Sequence, residues 1–272
     1  MTTPAETADR FLALHRGDGP LLMPNAWDRG SAVLLASLGY QAIATTSSGF
    51  AATLGRLDGS VTREEALAHA ADLVDATALP VSADLENGFA DDPAEVAATV
   101  AEAVEVGLAG CSIEDYSGPA DDRIYDFVLA TERVAAAAEA AHTGPVRLVL
   151  TARAENQIHG IDDLDDTIAR LQAYEQAGAD VLFAPGIRSP EHIRRVVSSV
   201  GIPVSVLATK GAPTVPEMAE LGVARVSVGG AFAYAALAAA ADAAREVLDR
   251  GTFGYLDRAV QGRKEAGAAF GR

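Results

Sequence analysis

The chain has 272 residues, 49% of them hydrophobic, and its 38 acidic residues against 21 basic ones give a formal net charge of −17. This balance, without a run of Lys or Arg, argues against a nucleic-acid partner, because phosphate backbones are bound by basic patches. No apolar stretch is long enough to cross a bilayer and no leader pattern precedes the first helix, so we expect a cytoplasmic protein without a membrane partner. Cys111 is the only cysteine, which excludes an internal disulfide and a thiolate metal site.

Helical patterns and short apolar runs alternate along the whole chain. Residues 1–18 hold an N-terminal helix, eight strand and helix units follow, and residues 252–272 form a C-terminal helical extension. The predicted strands cover 21–23, 42–46, 81–83, 111–113, 148–150, 181–184, 204–207 and 226–228. Alternation of this kind predicts a parallel sheet, and eight strands are the number that closes a (β/α)8 TIM barrel. We therefore treat residues 1–272 as one barrel domain.

Two further features bear on this architecture. An open doubly wound sheet is the alternative, but no Gly-x-Gly-x-x-Gly turn follows the first strand. The predicted helix at 231–248 is apolar over much of its surface, which indicates association between subunits.

Charged side chains stand at the carboxyl ends of three consecutive predicted strands. Asp84 follows the third strand, Glu114 the fourth and Arg153 the fifth. The carboxyl ends of barrel strands carry the active site, and buried acids there need a cation. An oxygen-rich set without a His pair suits Mg²⁺ or Mn²⁺. Asp84 is expected to bind the metal directly, with Glu114 and Asp58 holding waters.

The same residues also have structural interpretations. Arg153 offers the planar fork that a substrate carboxylate requires, but it is alternatively a structural partner of the nearby acids. Asp115 and Glu86 are read as helix N-caps. His159 is either an acid–base group or a solvated loop residue, and Lys210 is a candidate for substrate contact.

These strand ends resemble the isocitrate lyase/phosphoenolpyruvate mutase superfamily. The order of the shared fragments is more specific than any one of them: Pro-Asn-Ala-Trp-Asp at 24–28, Thr-Thr-Ser-Ser-Gly at 45–49, Ala-Asp at 83–84, Ile-Glu-Asp at 113–115, Thr-Ala-Arg at 151–153 and Val-Ser-Val-Gly-Gly at 226–230. The resemblance implies a barrel whose terminal helix is exchanged between subunits, commonly in a homotetramer. It also implies Mg²⁺ chelated with an α-oxycarboxylate, stabilising a pyruvate enolate while a C–C or P–C bond breaks.

Carried over by position, the resemblance gives roles to individual residues. Asp84 corresponds to the direct metal ligand, and Asp58 and Glu114 correspond to outer ligands through water. Arg153 corresponds to the substrate-binding arginine, and the end of the second strand, with Thr46, Ser47 and Ser48, corresponds to the segment that binds the substrate carboxylate.

The chain departs from the family pattern at two places. Lyases of this family carry a Lys-(Lys/Arg)-Cys-Gly-His loop after the fourth strand, whereas residues 116–125 contain no Cys, Lys or His, and the mutase's Asn-containing gating loop is not evident there either. Ser82 stands where many members have the first Asp of an Asp-Ala-Asp motif, which predicts weaker metal binding.

We therefore predict a Mg²⁺-dependent carbon–carbon lyase, most simply oxaloacetate-decarboxylase-like, acting on a small 2-oxo or 2-hydroxy acid, with Arg153 and Asp58 as its catalytic residues. Decarboxylation needs no protein acid during bond cleavage, so the missing cysteine affects it least. The alternatives are P–C chemistry, as in phosphoenolpyruvate mutase or phosphonopyruvate hydrolase, and a non-catalytic ligand-binding barrel.

Overall fold

A computed structural model describes residues 3–271 and shows eight parallel strands arranged as a (β/α)8 barrel. The strands are β1 (Leu21–Met23), β2 (Ile43–Ala44), β3 (Val81–Asp84), β4 (Gly110–Glu114), β5 (Val149–Arg153), β6 (Val181–Phe183), β7 (Val204–Leu207) and β8 (Arg225–Ser227). Each strand pairs with its neighbour in sequence from β2 to β8, and β8 pairs with β1. A bridge between Asn25 and Ala44 joins the β1 and β2 ends, which confirms the predicted barrel.

Helices follow the strands and surround the barrel. They are α1 (Pro4–Leu14), α2 (Arg29–Ser37), α3 (Ser47–Thr53), α4 (Arg63–Ala76), α5 (Pro93–Glu105), α6 (Phe127–His142), α7 (Leu164–Gln176), α8 (Pro190–Ser199), α9 (Val215–Glu220), α10 (Ala231–Arg250) and α11 (Leu256–Phe270). Several begin with side-chain caps that the sequence signals: Thr62 forms a capping box with Glu65, and Asp92 and Ser189 each precede a Pro at the first helical turn.

The second strand is shorter than predicted. The sequence pattern extends over 42–46, but β2 ends at Ala44 because Thr46 is the N-cap of α3. The Thr46 hydroxyl accepts a hydrogen bond from the Gly49 amide at 3.3 Å. An early turn therefore places residues 46–48 at the mouth of the barrel.

Helix α1 closes the amino-terminal end of the barrel. Phe11 is fully buried in a small cluster with the first residues of several strands, including Leu21, Val149 and Val181. Gly110 permits this contact, because a Cβ there would lie 2.6 Å from the Phe11 ring. The predicted N-terminal helix thus has a specific position under the barrel.

The barrel interior is unusually polar at this end. Barrels of this type are generally filled by branched aliphatic side chains. Here the first residue of β8, Arg225, is buried and donates hydrogen bonds to Ser205 at 3.0 Å and Thr151 at 3.1 Å. Its Nη1 also lies 3.4 Å from Nε2 of His15, at the C-terminal end of α1.

Helix α10 departs from the packing of the other barrel helices. It runs for 20 residues, yet among them only Ala233 is buried, and Tyr234 and Leu237 are each half exposed. Helix α11 instead returns to pack against α2. Within residues 3–271, no helix combines the length and apolarity needed to cross a membrane.

The environment of His15 predicts a pH dependence of stability. Burial, with the neighbouring charge of Arg225, lowers the pKa of His15 from 6.5 to about 3. Between these two values the unfolded chain binds a proton that the folded chain does not, so the free energy of unfolding falls as pH falls, by up to about 1.4 kcal/mol per pH unit.

His15→Gln removes the titrating group and keeps a hydrogen-bond acceptor for Arg225. Urea unfolding of both proteins from about pH 7 to about pH 4 should show the variant gaining stability relative to wild type as the solution becomes more acidic. A stability difference that does not change with pH would contradict this assignment.

Candidate active site

The central feature of the site is one arginine surrounded by three carboxylates. Arg153, the last residue of β5, places Nη1 2.8 Å from Asp84 Oδ1 and Nη2 2.9 Å from Glu114 Oε2. Its Nε donates to Glu155 Oε1 at 2.8 Å. The four side chains are between 3% and 19% exposed, so these pairs are poorly screened by solvent. The predicted convergence of Asp84, Glu114 and Arg153 is present.

The strand register explains this convergence. Asp84 is beside Ser112, and Glu114 is beside Arg153, in the parallel ladder from β3 to β5. Neighbouring strands lie about 4.8 Å apart, so side chains that end adjacent strands meet at the same edge. Three consecutive strands therefore deliver one cation and two acids to one point, and the turn after β5 adds Glu155.

The second oxygen of Asp84 is held by the start of α3. Asp84 Oδ2 accepts from the Ser47 amide at 3.2 Å and from the Ser47 hydroxyl at 3.0 Å. The Asp84 amide donates to Thr45 Oγ1 at 2.8 Å. Gly49 lets this segment pack closely, because a Cβ there would lie 2.5 Å from the Thr46 methyl group.

A cavity of about 180 Å³ opens beside these groups, inside the carboxyl-terminal mouth of the barrel. Its lining includes the predicted site residues among a set of polar side chains: Asn25, Thr45, Thr46, Ser47, Ser48, Asp58, Ser82, Asp84, Ser112, Arg153, Arg225 and Ser227. Its apolar lining comes from Met23, Ile158, Phe183, Pro185 and Leu207. The volume suits a small acid.

The electrostatics of the site follow from the excess of carboxyl groups over the single guanidinium of Arg153. Burial alone would lower the pKa of Arg153, but the charges of Glu114, Glu155 and Asp84 raise it well above its usual value. Burial raises the pKa of Glu114, although Arg153 opposes this shift. Arg153 is therefore always charged, and the acids around it exceed it in number.

Two further carboxyls face this cluster. Burial, together with the charges of Asp84 and Asp58, raises the pKa of Glu86 to about 8. Partial desolvation and the Asp84 charge raise the pKa of Asp58, whose residue as a whole is exposed at the cavity mouth. Glu86 also has a left-handed φ of 48°, a strained conformation for a residue with a side chain. The carboxyl groups of Glu86, Asp58 and Asp84 repel one another when charged, and a cation bound between them would reduce this repulsion.

The donor set fits Mg²⁺ in one of its usual modes. Among the described residues no three acidic, His or Cys side chains are already arranged around a common metal position. Mg²⁺ commonly takes one or two carboxylates and keeps several waters, so a preformed cage is not required. Asp84, with Asp58 and Glu114 nearby, supplies carboxylate oxygens of the right chemistry.

Other predicted residues have different positions. Lys210 is exposed in the turn after β7 and is not part of the cavity lining, so its substrate contact stays a prediction. The prediction of N-caps at Asp115 and Glu86 is wrong, because α6 is capped by Asp126 and α5 by Asp92. Cys111 is a fully buried core residue whose thiol pKa is raised by burial.

Asp115 has a structural role of a different kind. Its carboxylate accepts hydrogen bonds from Tyr174 at 2.6 Å, from Arg170 at 3.2 Å and from the Glu155 amide at 2.8 Å. The network ties β4 to α7 and fixes the turn that carries Glu155.

The loops after β4 and β5 meet above the site. The rings of Tyr116 and His159 stack with centroids 3.8 Å apart, and the Tyr116 hydroxyl donates to Asp122 at 2.9 Å. His159 Nε2 lies 3.9 Å from Glu155 Oε2 and outside the cavity lining. Its imidazole therefore packs between loops in this structure.

Two charged residues of the site, Glu155 and Arg225, are not among those predicted from the sequence. Glu155 follows Arg153 by two residues. It is a charged residue close to the carboxyl end of a strand, which is the criterion that identified Asp84. Arg225 precedes the predicted strand at 226–228 and is the first residue of β8. Its position two residues before Ser227 was the available signal that both side chains point into the barrel.

Comparisons with known proteins agree with the barrel fold. A family model described as phosphoenolpyruvate phosphomutase matches residues 11–248. A solved structure from Burkholderia cenocepacia J2315 with a provisional lyase/mutase description is 51% identical, covers 96% of this chain and 95% of that chain, and superimposes with a TM-score of 0.93.

Two named relatives are more distant. A 2-methylisocitrate lyase of Halalkalibacterium halodurans is 31% identical over 73% of this chain and 66% of its own length. An oxaloacetate decarboxylase of Pseudomonas fluorescens is 33% identical over 62% of this chain and 58% of its own length. The family match over most of the chain confirms the resemblance, and the chain belongs to the phosphoenolpyruvate mutase/isocitrate lyase superfamily.

Proposed function

We propose that this chain is a Mg²⁺-dependent carbon–carbon lyase of the carboxy-lyase type, acting on a small 2-oxo or 2-hydroxy acid. The proposal rests on one observation. Arg153 forms ion pairs with Asp84, Glu114 and Glu155 beside a cavity whose volume suits a small acid. The relatives named as 2-methylisocitrate lyase and oxaloacetate decarboxylase support a lyase that acts on a small acid.

The metal site is the first part of this proposal. The superfamily generally depends on a divalent metal, and here Asp84 would hold Mg²⁺ directly, with Asp58 and Glu114 acting through water. A bound Mg²⁺ supplies a Lewis acid that stabilises negative charge on a substrate oxygen. Since both oxygens of Asp84 already accept hydrogen bonds, from Arg153 and from Ser47, a cation must compete with these donors.

The substrate carboxylate is assigned to donors that already converge on the cavity. Arg153 offers a planar guanidinium, and Ser47 offers an amide and a hydroxyl at the start of α3. Thr46 and Ser48 are within hydrogen-bond distance of each other, at 3.2 Å, and line the same wall. Lys210 would have to reach in from its exposed turn.

The missing acid loop favours a reaction that needs no protein acid to break the bond. In decarboxylation the carbon–carbon bond breaks, carbon dioxide leaves and the electron pair passes to the carbonyl oxygen. The apolar side chains of Phe183 and Leu207 line the same cavity and would limit the access of water to this developing charge.

Phosphorus–carbon chemistry is the second candidate. It is favoured by the matching family model, whose description is that of a phosphomutase. A mutase or hydrolase of this kind would convert phosphoenolpyruvate or phosphonopyruvate, whereas a non-catalytic barrel would convert no acid at all. Turnover assays with Mg²⁺ distinguish these alternatives from the leading proposal.

Helix α10 supports a homotetramer with exchanged terminal helices. Most of the apolar surface of this helix is not covered by other parts of residues 3–271. The exposed apolar side chains are Tyr234, Leu237, Val247 and Leu248. A second copy of the chain presents the same surface and can cover it by symmetry.

Oxalate, a planar dianion that resembles a pyruvate enolate, tests the metal-dependent function. Wild-type protein should bind oxalate with Mg²⁺ at least about tenfold more tightly than with a chelator, because two adjacent oxygens chelate the ion held by Asp84. Asp84→Asn should abolish this dependence, and Asp75→Asn, the same change at an exposed residue of α4, should preserve it. Equal affinity with and without Mg²⁺ in wild type, measured by calorimetry, would remove the enolate mechanism.

Arg153→Lys tests the proposal that the Arg153 guanidinium binds the substrate carboxylate. Lysine keeps the positive charge that offsets the acids, but it cannot reproduce the planar fork, so kcat/KM should fall by about tenfold or more. Thermal unfolding of the same variant checks that the acidic cluster still folds. A folded Lys variant with unchanged kcat/KM would mean that Arg153 serves only the acidic cluster.

Leu237→Glu tests the assembly through α10. Light scattering of wild type should give four times the chain mass, and the charged side chain should shift the protein to smaller species. Leu38→Glu changes another exposed leucine, at the end of α2, and should leave the mass unchanged. A monomeric wild type would refute the tetramer.

A further inference from the structure

Arg225 is a buried cation with only neutral partners. The residue is 4% exposed, and its described partners are the hydroxyls of Ser205 and Thr151 and the imidazole of His15. His15 is a neutral acceptor: with its Nδ1 2.9 Å from the Phe11 carbonyl oxygen, that nitrogen carries the proton and Nε2 faces Arg225. No carboxylate of residues 3–271 forms an ion pair with Arg225.

The other buried arginines are satisfied differently. Arg153 and Arg170 each pair with carboxylates, and Arg133 donates to the main-chain carbonyls of Asn87, Ala90 and Asp91. Nε and Nη1 of Arg225 are engaged, whereas Nη2 donates to no described residue. A buried charge without a counter-ion is costly, so an anion on this group would be favoured.

The free part of Arg225 belongs to the cavity described above. Arg225 lines that cavity together with Ser82 and Ser112, and neither serine hydroxyl makes a hydrogen bond within residues 3–271. The Nη2 group of Arg225 and these two hydroxyls are therefore donors without described partners along the wall of one cavity. Hydroxyl groups and a guanidinium are the donors that bind a carboxylate.

The register places this inner part within reach of the metal-binding end. Asp84, Ser112 and Thr151 stand side by side on β3, β4 and β5, and the Thr151 hydroxyl contacts Arg225. With strands about 4.8 Å apart, Thr151 lies about 10 Å from Asp84, and Ser112 lies between them. The side chains of Asp84 and Arg225 both project into the cavity and shorten this separation, so a four-carbon acid that is hydrogen-bonded at each end can bridge them.

We propose that Arg225, with Ser82 and Ser112, forms a second anion subsite that takes the distal carboxylate of a small dicarboxylic acid whose other end lies at Asp84 and Arg153. This inference rests on the proposed function for the position of the first carboxylate. It narrows the substrate to acids with two carboxylates and gives Arg225 a specificity-determining role.

Malate and 2-hydroxybutyrate provide a matched pair of probes, since they share a four-carbon 2-hydroxy acid skeleton and differ by one distal carboxylate. Wild type should bind malate at least about tenfold more tightly than 2-hydroxybutyrate. In Arg225→Gln the ratio of the two affinities should fall to about one, while Arg225→Lys should retain part of it. Calorimetric titrations are made with Mg²⁺ and with a chelator.

A second variant separates binding from folding. Ser112→Ala removes only a hydroxyl and should lower the malate preference severalfold, and thermal unfolding checks that each variant is folded. A folded Arg225→Gln protein that keeps the full malate preference would overturn the subsite.

The remaining outcomes separate this inference from the metal proposal. If oxalate binding does not depend on Mg²⁺ but the Arg225-dependent preference for malate persists with chelator, the proposed function fails and the subsite stands. If oxalate binding depends on Mg²⁺ and wild type does not distinguish the two acids, the subsite fails alone. If wild type shows no such preference but chloride stabilises it and not Arg225→Gln, the site takes an inorganic anion, which also overturns the substrate role.

Discussion

The site depends on one charge relationship, in which a single guanidinium offsets three carboxylates that are buried or half-buried. Arg153 contacts Asp84, Glu114 and Glu155 at 2.8 to 2.9 Å in a region largely shielded from water. Removing one member of such a group leaves buried charge uncompensated, which typically costs about 3–5 kcal/mol. The excess of acids over Arg153 leaves this region short of positive charge, and a divalent cation at Asp84 would supply it.

The barrel architecture determines where this group lies and what surrounds it. Consecutive strands β3, β4 and β5 bring its members to one edge, and the early end of β2 allows Ser47 to hold the second oxygen of Asp84. Below it, the polar interior extends to Arg225, so the cavity contains an acidic end and a cationic end. This polarity distinguishes the barrel from one filled by aliphatic layers.

Much of this arrangement could be predicted from the sequence. The eight apolar runs with polar ends predict the barrel. Because parallel strands end at the same edge of the sheet, the positions of Asp84, Glu114 and Arg153 at strand ends predict that they lie close together. The length of β2 was not predictable from hydrophobicity, since the capping bond of Thr46 competes with strand continuation.

The remaining features depend on contacts between distant segments. The sequence predicts a helix cap at Asp115, because the partners that give it another role, Arg170 and Tyr174, lie more than fifty residues away on α7. The contact of Arg225 with His15 likewise requires α1 to close the barrel, a packing that no local pattern encodes. Lys210 follows a strand as the site residues do, but its turn faces solvent.

In the proposed metal site, a divalent cation competes with Arg153 for the carboxylate of Asp84. A crystal structure of the protein with Mn²⁺ and oxalate, using anomalous scattering to locate the metal, would show this competition. We predict a manganese peak at coordination distance, about 2 Å, from an Asp84 carboxylate oxygen, with the Arg153–Asp84 contact broken or lengthened. Oxalate bound with the Arg153–Asp84 pair intact and no manganese beside Asp84 would refute the metal site.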